Sequence, residues 1–545
     1  MKKKVITNIR KNKYKILVCL ILIIGFAVRL VGIQNHPNGM NVDETSSGYE
    51  AYSILNYGID RNGKIMPVFL ISWGSGQNAL YSYMIIPFVK LFGLSTLTTR
   101  LPMAILGCIS LIIFYKMLEL IKGKKLALIG LTFCTICPWH IMKSRWGLES
   151  NVFPDLTLIA VFIIMQALKN KKIYLMYIGF VVLGLCAYAY GTSYFFLPLF
   201  VIPLLIYLIL KKQINWKQAI FCLLIVFIVS LPIILFVIIN TFDLPEIKIG
   251  IFTVPRTTSN RYESITTLFE GNIIFNSLKN FLKSLSILVT QYDGLGWNAF
   301  KFYGLTYVFS LPFTIIGIAK NFEESGSQKS ETAEKIKNKN QKKLKYSNNT
   351  KIYKNMINIW FIVAVLLLFV CEPNINRINI IMIPLIYYTA LGIYEITKIS
   401  KLISIIIAII YLLSFGMFIN KYWNTDFSEF NVFNDGLDEV YEYIQEKNPN
   451  TVYIEYSYKE PYIYTLFYTK ENPHNFVDSV EYKSPDGFER VKAYGKYKYY
   501  LPDEIKPEDG TIYVIKKDND NLKEKINENE FNIKEFEKYI ILENK

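Results

Sequence analysis

The sequence predicts a polytopic α-helical membrane protein that ends in a small polar α/β domain. Three observations carry this prediction. Of the 545 residues, 52% are hydrophobic, and apolar runs of about 17–22 residues recur from Ile16 to Ile419, each long enough to cross a hydrocarbon core. Short lysine-bearing turns separate those runs at alternate positions. Near Asn420 the composition turns polar and stays so for the rest of the chain.

The expected spans are 14–33, 101–118, 126–142, 152–168, 173–190, 194–210, 218–239, 303–319, 356–371, 378–396 and 402–419, eleven in all. The first follows Met-Lys-Lys-Lys and Arg10-Lys-Asn-Lys-Tyr-Lys with no small-residue cleavage site after it, which reads as an uncleaved signal-anchor. Basic turns at Lys122/Lys124/Lys125, Lys169/Lys171/Lys172, Lys211/Lys212/Lys217, the lysine-rich stretch 321–354 and Lys398/Lys401 all fall on one side if the N-terminus is cytoplasmic. Residues 79–92 are apolar but short and interrupted by Pro87; counting them as a span would invert every later loop. They are therefore expected to lie in the outer interface. This parity makes 1–419 a transmembrane domain of a multi-pass cell-membrane protein, with loop 321–354 cytoplasmic, low in complexity and expected to be disordered. The domain 420–545 is then extracytoplasmic, with strands expected at 451–457 and 511–516 and an amphipathic helix at 435–447.

Charge and cysteine usage exclude several classes. The net charge of +16 sits mostly in inter-span turns, where it reports orientation rather than nucleic-acid binding. All seven cysteines lie in or beside apolar runs, which argues against a disulfide framework, and Cys134-Thr-Ile-Cys137 lacks a redox context. No glycine-rich phosphate loop and no metal-spaced His/Cys set appears in the polar domain. His36 and His140 fall near the outer face, but two histidines so far apart are a weak ligand signal. No cofactor is expected, and a divalent metal is left open.

Asp43–Glu44, about ten residues past the first span, is the most informative feature. Asn41-Val-Asp43-Glu44 reads locally as a capping box opening a helix that Gly58 would close. Carboxylates at a membrane surface also suit a general base acting on an acceptor hydroxyl. Lys143 and Arg145 are a basic pair on the side of the membrane where basic residues are rare, and either suits a departing phosphate, arginine through a bidentate fork. Anchoring among Trp139 and Trp146 in an aromatic belt is the alternative for that pair. His140, Glu149, Tyr190 and Arg377 are candidate substrate-lining residues.

Asn41-Val-Asp43-Glu44 with Gly48-Tyr-Glu-Ala-Tyr, Tyr57-Gly-Ile-Asp-Arg-Asn-Gly63, Pro87 through Leu91-Phe-Gly93, Arg100-Leu-Pro102, Leu106-Gly107 and Pro138-Trp-His…Ser144-Arg145 resembles the GT-C glycosyltransferases related to protein O-mannosyltransferases and lipid A aminoarabinose transferases. The resemblance covers residues 14–210 well and 370–396 loosely. It implies inverting transfer from a polyprenyl-phosphate sugar to an acceptor protein, lipid or wall glycan at the outer face. Asp43 then matches the catalytic acid, Glu44 its neighbour, and Arg145 a basic residue near the donor phosphate. One departure stands out. Relatives often begin the second interfacial helix with a Lys-Pro-Pro-like motif, where this chain has Gly74-Ser-Gly-Gln77-Asn78, so phosphate binding is expected at Lys143, Arg145 or a basic residue elsewhere, such as Arg256, Arg261 or Arg377. A transporter or flippase of polyprenyl-linked glycans is the alternative class; it would show repeated halves and acids near the midplane, and the sequence has no internal repeat.

Overall fold

The computed structural model describes residues 2–73, 75–258, 266, 271–326, 340–430, 432–483, 490–519 and 530–545. Helices dominate up to residue 423. In chain order they are α1 (Lys2–Leu30), α2 (Val42–Tyr57), α3 (Leu80–Phe92), α4 (Thr96–Lys122), α5 (Lys124–Ile136), α6 (Pro138–Met142), α7 (Val152–Asn170), α8 (Ile173–Leu185), α9 (Ser193–Leu210), α10 (Trp216–Thr241), α11 (Ile273–Thr290), α12 (Leu311–Gly326), α13 (Asn340–Val370), α14 (Met382–Ile396) and α15 (Lys401–Trp423). Among the described residues, seven helical segments are long and apolar enough to cross a membrane: Thr96–Lys122, Glu149–Asn170, Ser193–Leu210, Trp216–Thr241, Asn349–Val370, Ile375–Ile396 and Lys401–Trp423. The chain is a multi-pass membrane protein.

Helix boundaries follow local chemistry. The α2 helix starts at N-cap Asn41, whose side chain and Glu44 form the expected capping box, and stops at Gly58 in the left-handed conformation with φ 73°. Ser95 with Thr98 opens α4, and Asn215 with Gln218 opens α10, in the same way. The expected span 126–142 is broken. Cys137 is extended and Pro138, which has no N–H to donate, starts α6, so the segment is two helices rather than one. The expected span 303–319 begins late, because residues 301–307 form turns and the α-helix starts at Leu311. The loop 240–302 holds the unforeseen α11, whose Ile274, Phe275, Leu278, Leu282, Leu285 and Val289 are exposed at helical spacing, as on an interfacial helix. Within 321–354, helices cover 321–326 and 340–354; residues 327–339 lie outside the described residues.

Packing inside the bundle is close. A Cβ on Gly317 would sit 1.8 Å from the Tyr388 carbonyl oxygen, and one on Gly392 would sit 1.9 Å from that of Phe313. Backbones of α12 and α14 therefore touch, which only glycine permits. At one end of the bundle, Lys122 bridges Glu324 and Glu395, and Lys354 pairs with Glu324. At the other end, residues near 30–41, 100, 145–150, 187–194 and 422 are joined by buried hydrogen bonds.

Beyond residue 430 a seven-stranded sheet forms from β7 (Thr451–Ile454), β8 (Glu481–Lys483), β9 (Arg490–Tyr494), β10 (Tyr497–Lys498), β11 (Thr511–Lys516), β12 (Phe531–Glu535) and β13 (Tyr539–Asn544), in the order β12-β13-β11-β7-β10-β9-β8. Strand β7 runs parallel to β10 and β11, and the remaining pairs are antiparallel. Helix α16 (Leu437–Lys447) buries Leu437, Val440, Tyr441 and Ile444, a spacing of three and four residues that gives it one apolar face. Helix α17 (Pro461–Thr469) packs on α2, where Gly48 leaves space for the Phe467 ring. Strand β1 (Met40–Asn41) pairs antiparallel with β6 (Phe433–Asn434), tying the loop before α2 to this C-terminal unit.

Candidate active site

The site is built on the loop 31–41 and the first turn of α2. Two buried arginines hold that loop by its carbonyls. Arg100 donates to Ile33 O at 3.1 Å, Pro37 O at 2.7 Å and Gly39 O at 2.6 Å. Arg145 donates to Val28 O at 2.9 Å, His36 O at 3.0 Å and the Tyr422 hydroxyl at 3.2 Å, and lies over the Trp423 ring at 4.8 Å. Asn38 donates to Asp426 and Asp435, both at 2.7 Å, and the Tyr464 hydroxyl donates to Met40 O at 3.0 Å. A loop with so many carbonyls bound to buried donors is rigid, so Asp43 enters α2 at a defined position.

The two acids of the pair have different environments. Glu44 is fully buried. Its Oε1 accepts from Asn41 N and Arg100 Nη2, and its Oε2 accepts from Arg100 Nε and Gly147 N. Asp43 is half-buried, and its Oδ1 accepts from Gln77 Nε2 at 3.0 Å. Behind Gln77 lies a chain of bonds all oriented one way. Arg61 Nη1 donates to Ser46 Oγ at 2.7 Å, Ser46 donates to Gln77 Oε1 at 3.0 Å, and Gln77 donates to Asp43. Every bond in that relay is oriented so that it donates toward Asp43.

Arg61 is held in turn by Ser72 Oγ at 2.6 Å, by Glu50 at 3.3 Å, and between the rings of Trp73 and Tyr462. Burial raises the carboxyls of Glu50 and Asp60 above the ordinary range, against the pull of the Arg61 guanidinium.

The other expected residues divide into three groups. His140 and Lys143 join a buried cluster: Lys143 pairs with Asp155, His140 Nε2 lies 3.9 Å from Asp155, and Arg29 meets His140 Nδ1 at 2.9 Å. Arg29 also donates to Cys134 O and Thr135 O, carbonyls left at the end of α5 by the break at Pro138. Lys143, over the Trp139 ring at 5.3 Å, lines a narrow cleft with Trp146, Asn151, Trp297, Asn298 and Asn376. Glu149 accepts from Asn78 N, and Asn78 Nδ2 donates to Ala187 O at 3.1 Å and the Tyr194 hydroxyl at 2.9 Å, close in sequence to the buried Tyr190. Arg377 stands apart in an exposed pair with Glu372, and Arg256 pairs with Asp243 in solvent. Arg261 lies outside the described residues.

Two features of this geometry bear on the expectations. Trp139 and Trp146 are buried, at 2% and 4% exposure, rather than in an aromatic belt, because the broken helix folds 138–151 into the bundle end. Arg145 has no exposure and spends its fork on two carbonyls and a hydroxyl, which makes it a clamp on the loop. Gln77, Ser46 and Arg61 were not foreseen as neighbours of Asp43. Signals for them were the quoted motif Tyr57–Gly63, which contains Arg61, and the departure at Gly74-Ser-Gly-Gln77-Asn78, where Gln77 and Asn78 each reach an acid of the site. Among the described residues no group of three or more His, Cys, Asp or Glu side chains is placed to hold a metal ion.

Comparison with known structures is consistent with this arrangement. ArnT from Cupriavidus metallidurans in the apo state is similar over 98% of both chains at 9% identity, with a TM-score of 0.55. The Archaeoglobus fulgidus oligosaccharyltransferase tethered with an acceptor peptide is similar over 84% of this chain at 12% identity, with a TM-score of 0.51; the chain spans 63% of that protein's length. The same enzyme in complex with Zn and sulfate gives a TM-score of 0.50 at 13% identity, over 81% of this chain and 60% of that one. The fold is therefore similar to that of these two enzymes. Within it, residues 78–238 match the family model of dolichyl-phosphate-mannose-protein mannosyltransferases. No curated protein matches the chain in sequence.

Proposed function

We propose that this protein is a membrane glycosyltransferase that moves a sugar from a polyprenyl-phosphate donor to an acceptor hydroxyl at the outer membrane face, with inversion. The observation that carries the reading is Asp43: a partly exposed carboxylate on a rigid helix start, with a relay from Arg61 behind it. Asp43 takes the proton of the acceptor hydroxyl while the acceptor oxygen attacks the anomeric carbon. The bond from that carbon to the phosphate oxygen breaks, and its electron pair leaves with the polyprenyl phosphate. Lys143 neutralises the growing phosphate charge, the role for which its position on the cleft of Trp139, Trp146 and Asn376 recommends it. Glu44 and Arg145 are positioning residues that fix the loop carrying Asp43.

An apolar cavity of about 330 Å³ beside β3 (Gln77–Asn78), lined by Val68, Ala79, Leu80, Tyr83, Leu185 and Tyr188 among others, suits the first isoprenes of a lipid donor. In this reading eleven helices cross the membrane, residues 1–419 form the transferase domain, and 420–545 lie outside above α2. Helix-end contacts support that parity, since residues near 33, 100, 145, 187, 194 and 422 meet at one end, and those near 122, 324, 354 and 395 meet at the other. The protein in proteoliposomes, supplied with radiolabelled polyprenyl-phosphate hexoses and pentoses together with protein, lipid and wall-glycan acceptor fractions, should release polyprenyl phosphate from one donor and place its sugar on an acceptor as the inverted anomer. Failure to consume any such donor, by protein that remains folded, overturns the proposal.

A further inference from the structure

A second cavity lies at the opposite end of the bundle from Asp43. It measures about 560 Å³ and is lined by the α7–α8 turn, the α9–α10 turn and Asn349 of α13. Helix α7 begins beside Asn151 and Glu149 at the candidate active site and runs 19 residues to this turn. At 1.5 Å per residue the cavity is about 28 Å from that site. It therefore belongs to the other face of the membrane and has no part in the transfer proposed above.

Its walls have a definite chemistry. Its charged and polar lining residues are the exposed Lys171, Lys172 and Lys212 with Gln213, Gln218 and Asn349. No acid is among its described lining residues, and the sequence has none between Asp155 and Asp243. The basic cluster at the same end around Lys122 differs in this respect, since Glu324 and Glu395 neutralise it. Leu168, Ile173, Met176 and Ile214 form an apolar floor. Both turns place a lysine in the left-handed conformation, Lys171 at φ 55° and Lys212 at φ 54°, where glycine or asparagine is usual. Tyr174 and Trp216, close in sequence to the lining residues of the two turns, are exposed with Lys172 and Lys217 against their rings, as at a lipid headgroup level.

We infer that this cavity binds the phosphate-bearing headgroup of an anionic membrane lipid, with the three lysines on the phosphate and the apolar floor under the glycerol and first acyl carbons. Free inorganic phosphate shares the charge but has no use for the apolar floor or for a mouth set at the membrane surface. A basic turn that only reports orientation needs neither a cavity nor a floor.

Native mass spectrometry of the full chain in detergent, titrated with phosphatidylglycerol or phosphatidylcholine, tests this. Each lysine near an anionic surface contributes roughly fivefold, so Lys171→Gln, Lys172→Gln and Lys212→Gln together should weaken phosphatidylglycerol binding on the order of a hundredfold. A control triple at the same end, Lys124→Gln, Lys125→Gln and Lys401→Gln, should change it less than about fivefold, as should phosphate added at tens of millimolar. Equal losses in the two triples would reduce the effect to diffuse charge and overturn the site. Displacement of the lipid by low millimolar phosphate would overturn the lipid assignment in favour of a soluble anion. Should the cavity triple not purify, Lys172→Gln alone should lose roughly fivefold, and an unchanged affinity in that variant would overturn the site equally.

Discussion

Replacing Asp43 by asparagine separates the proposed chemistry from helix capping, because the capping bonds are made by other side chains. Capping of α2 rests on Asn41, whose side chain accepts from Asp43 N at 2.9 Å, and on Glu44, which accepts from Asn41 N at 3.0 Å. The Asp43 side chain takes no part in either bond. Asparagine keeps an oxygen for Gln77 to bond at the position where Asp43 Oδ1 now accepts at 3.0 Å. The folding cost of Asp43→Asn then includes a lost charge at a helix N-terminus, about 0.3–1 kcal/mol, and no lost cap. Turnover should fall at least about a hundredfold, the usual contribution of a positioned general base. The companion variant Asn41→Ala removes the cap, costs about 1 kcal/mol, and should leave most of the turnover. Transfer rates in proteoliposomes, read beside thermal unfolding of the same preparations, give both quantities. An Asp43→Asn protein that transfers sugar at near wild-type rate, or an Asn41→Ala protein as inactive as Asp43→Asn but still folded, would refute the assignment.

Three further outcomes follow from named contacts. Gln77→Leu removes the donor to Asp43 and disconnects it from Arg61; a carboxylate that loses a hydrogen bond holds its proton more tightly, so the acid limb of the pH–rate profile should move to higher pH, and an unmoved limb would mean that the relay has no electrostatic effect. Lys143→Gln should weaken donor binding and also destabilise the fold by leaving Asp155 buried and unpaired. Adding Asp155→Asn should restore the unfolding temperature but not the donor affinity, and recovery of both would make Lys143 structural. The last concerns His36, which burial holds below its ordinary value and whose Nε2–H donates to Tyr422 O at 2.6 Å. As pH falls the unfolded chain takes up a second imidazole proton, on Nδ1, before the folded one does, so the His36 contribution is complete above about pH 6.5 and declines below it. His36→Gln keeps a donor and cannot titrate, so its unfolding temperature should fall less than the wild type's between pH 7 and pH 5; an identical fall would exonerate His36.

What sequence alone determined about this protein is what depends on neighbours in the chain. Asn41, Glu44 and Gly58 lie within one helix and bracket it, so α2 was readable to the residue. Apolar runs and lysine-bearing turns likewise report helices and their order, because the cost of unsatisfied backbone in lipid leaves few alternatives. Pro138 was equally visible, yet its consequence needed Arg29, 105 residues away, to satisfy the carbonyl of Cys134 and let the chain turn inward. Only the tertiary structure decided which charges are spent on the fold. Glu44 and Arg145 look like reagents in sequence, but Arg100 and Gly147 fill the first, and Val28, His36 and Tyr422 fill the second, across separations of 56 to 277 residues. The same physics separates Asp43 from Glu44. Both are acids in one helical turn, but about 100° of rotation turns one into the packed bundle and leaves the other half-exposed beside Gln77. A buried charge must find its partners wherever the fold brings them, and no local pattern states where that is.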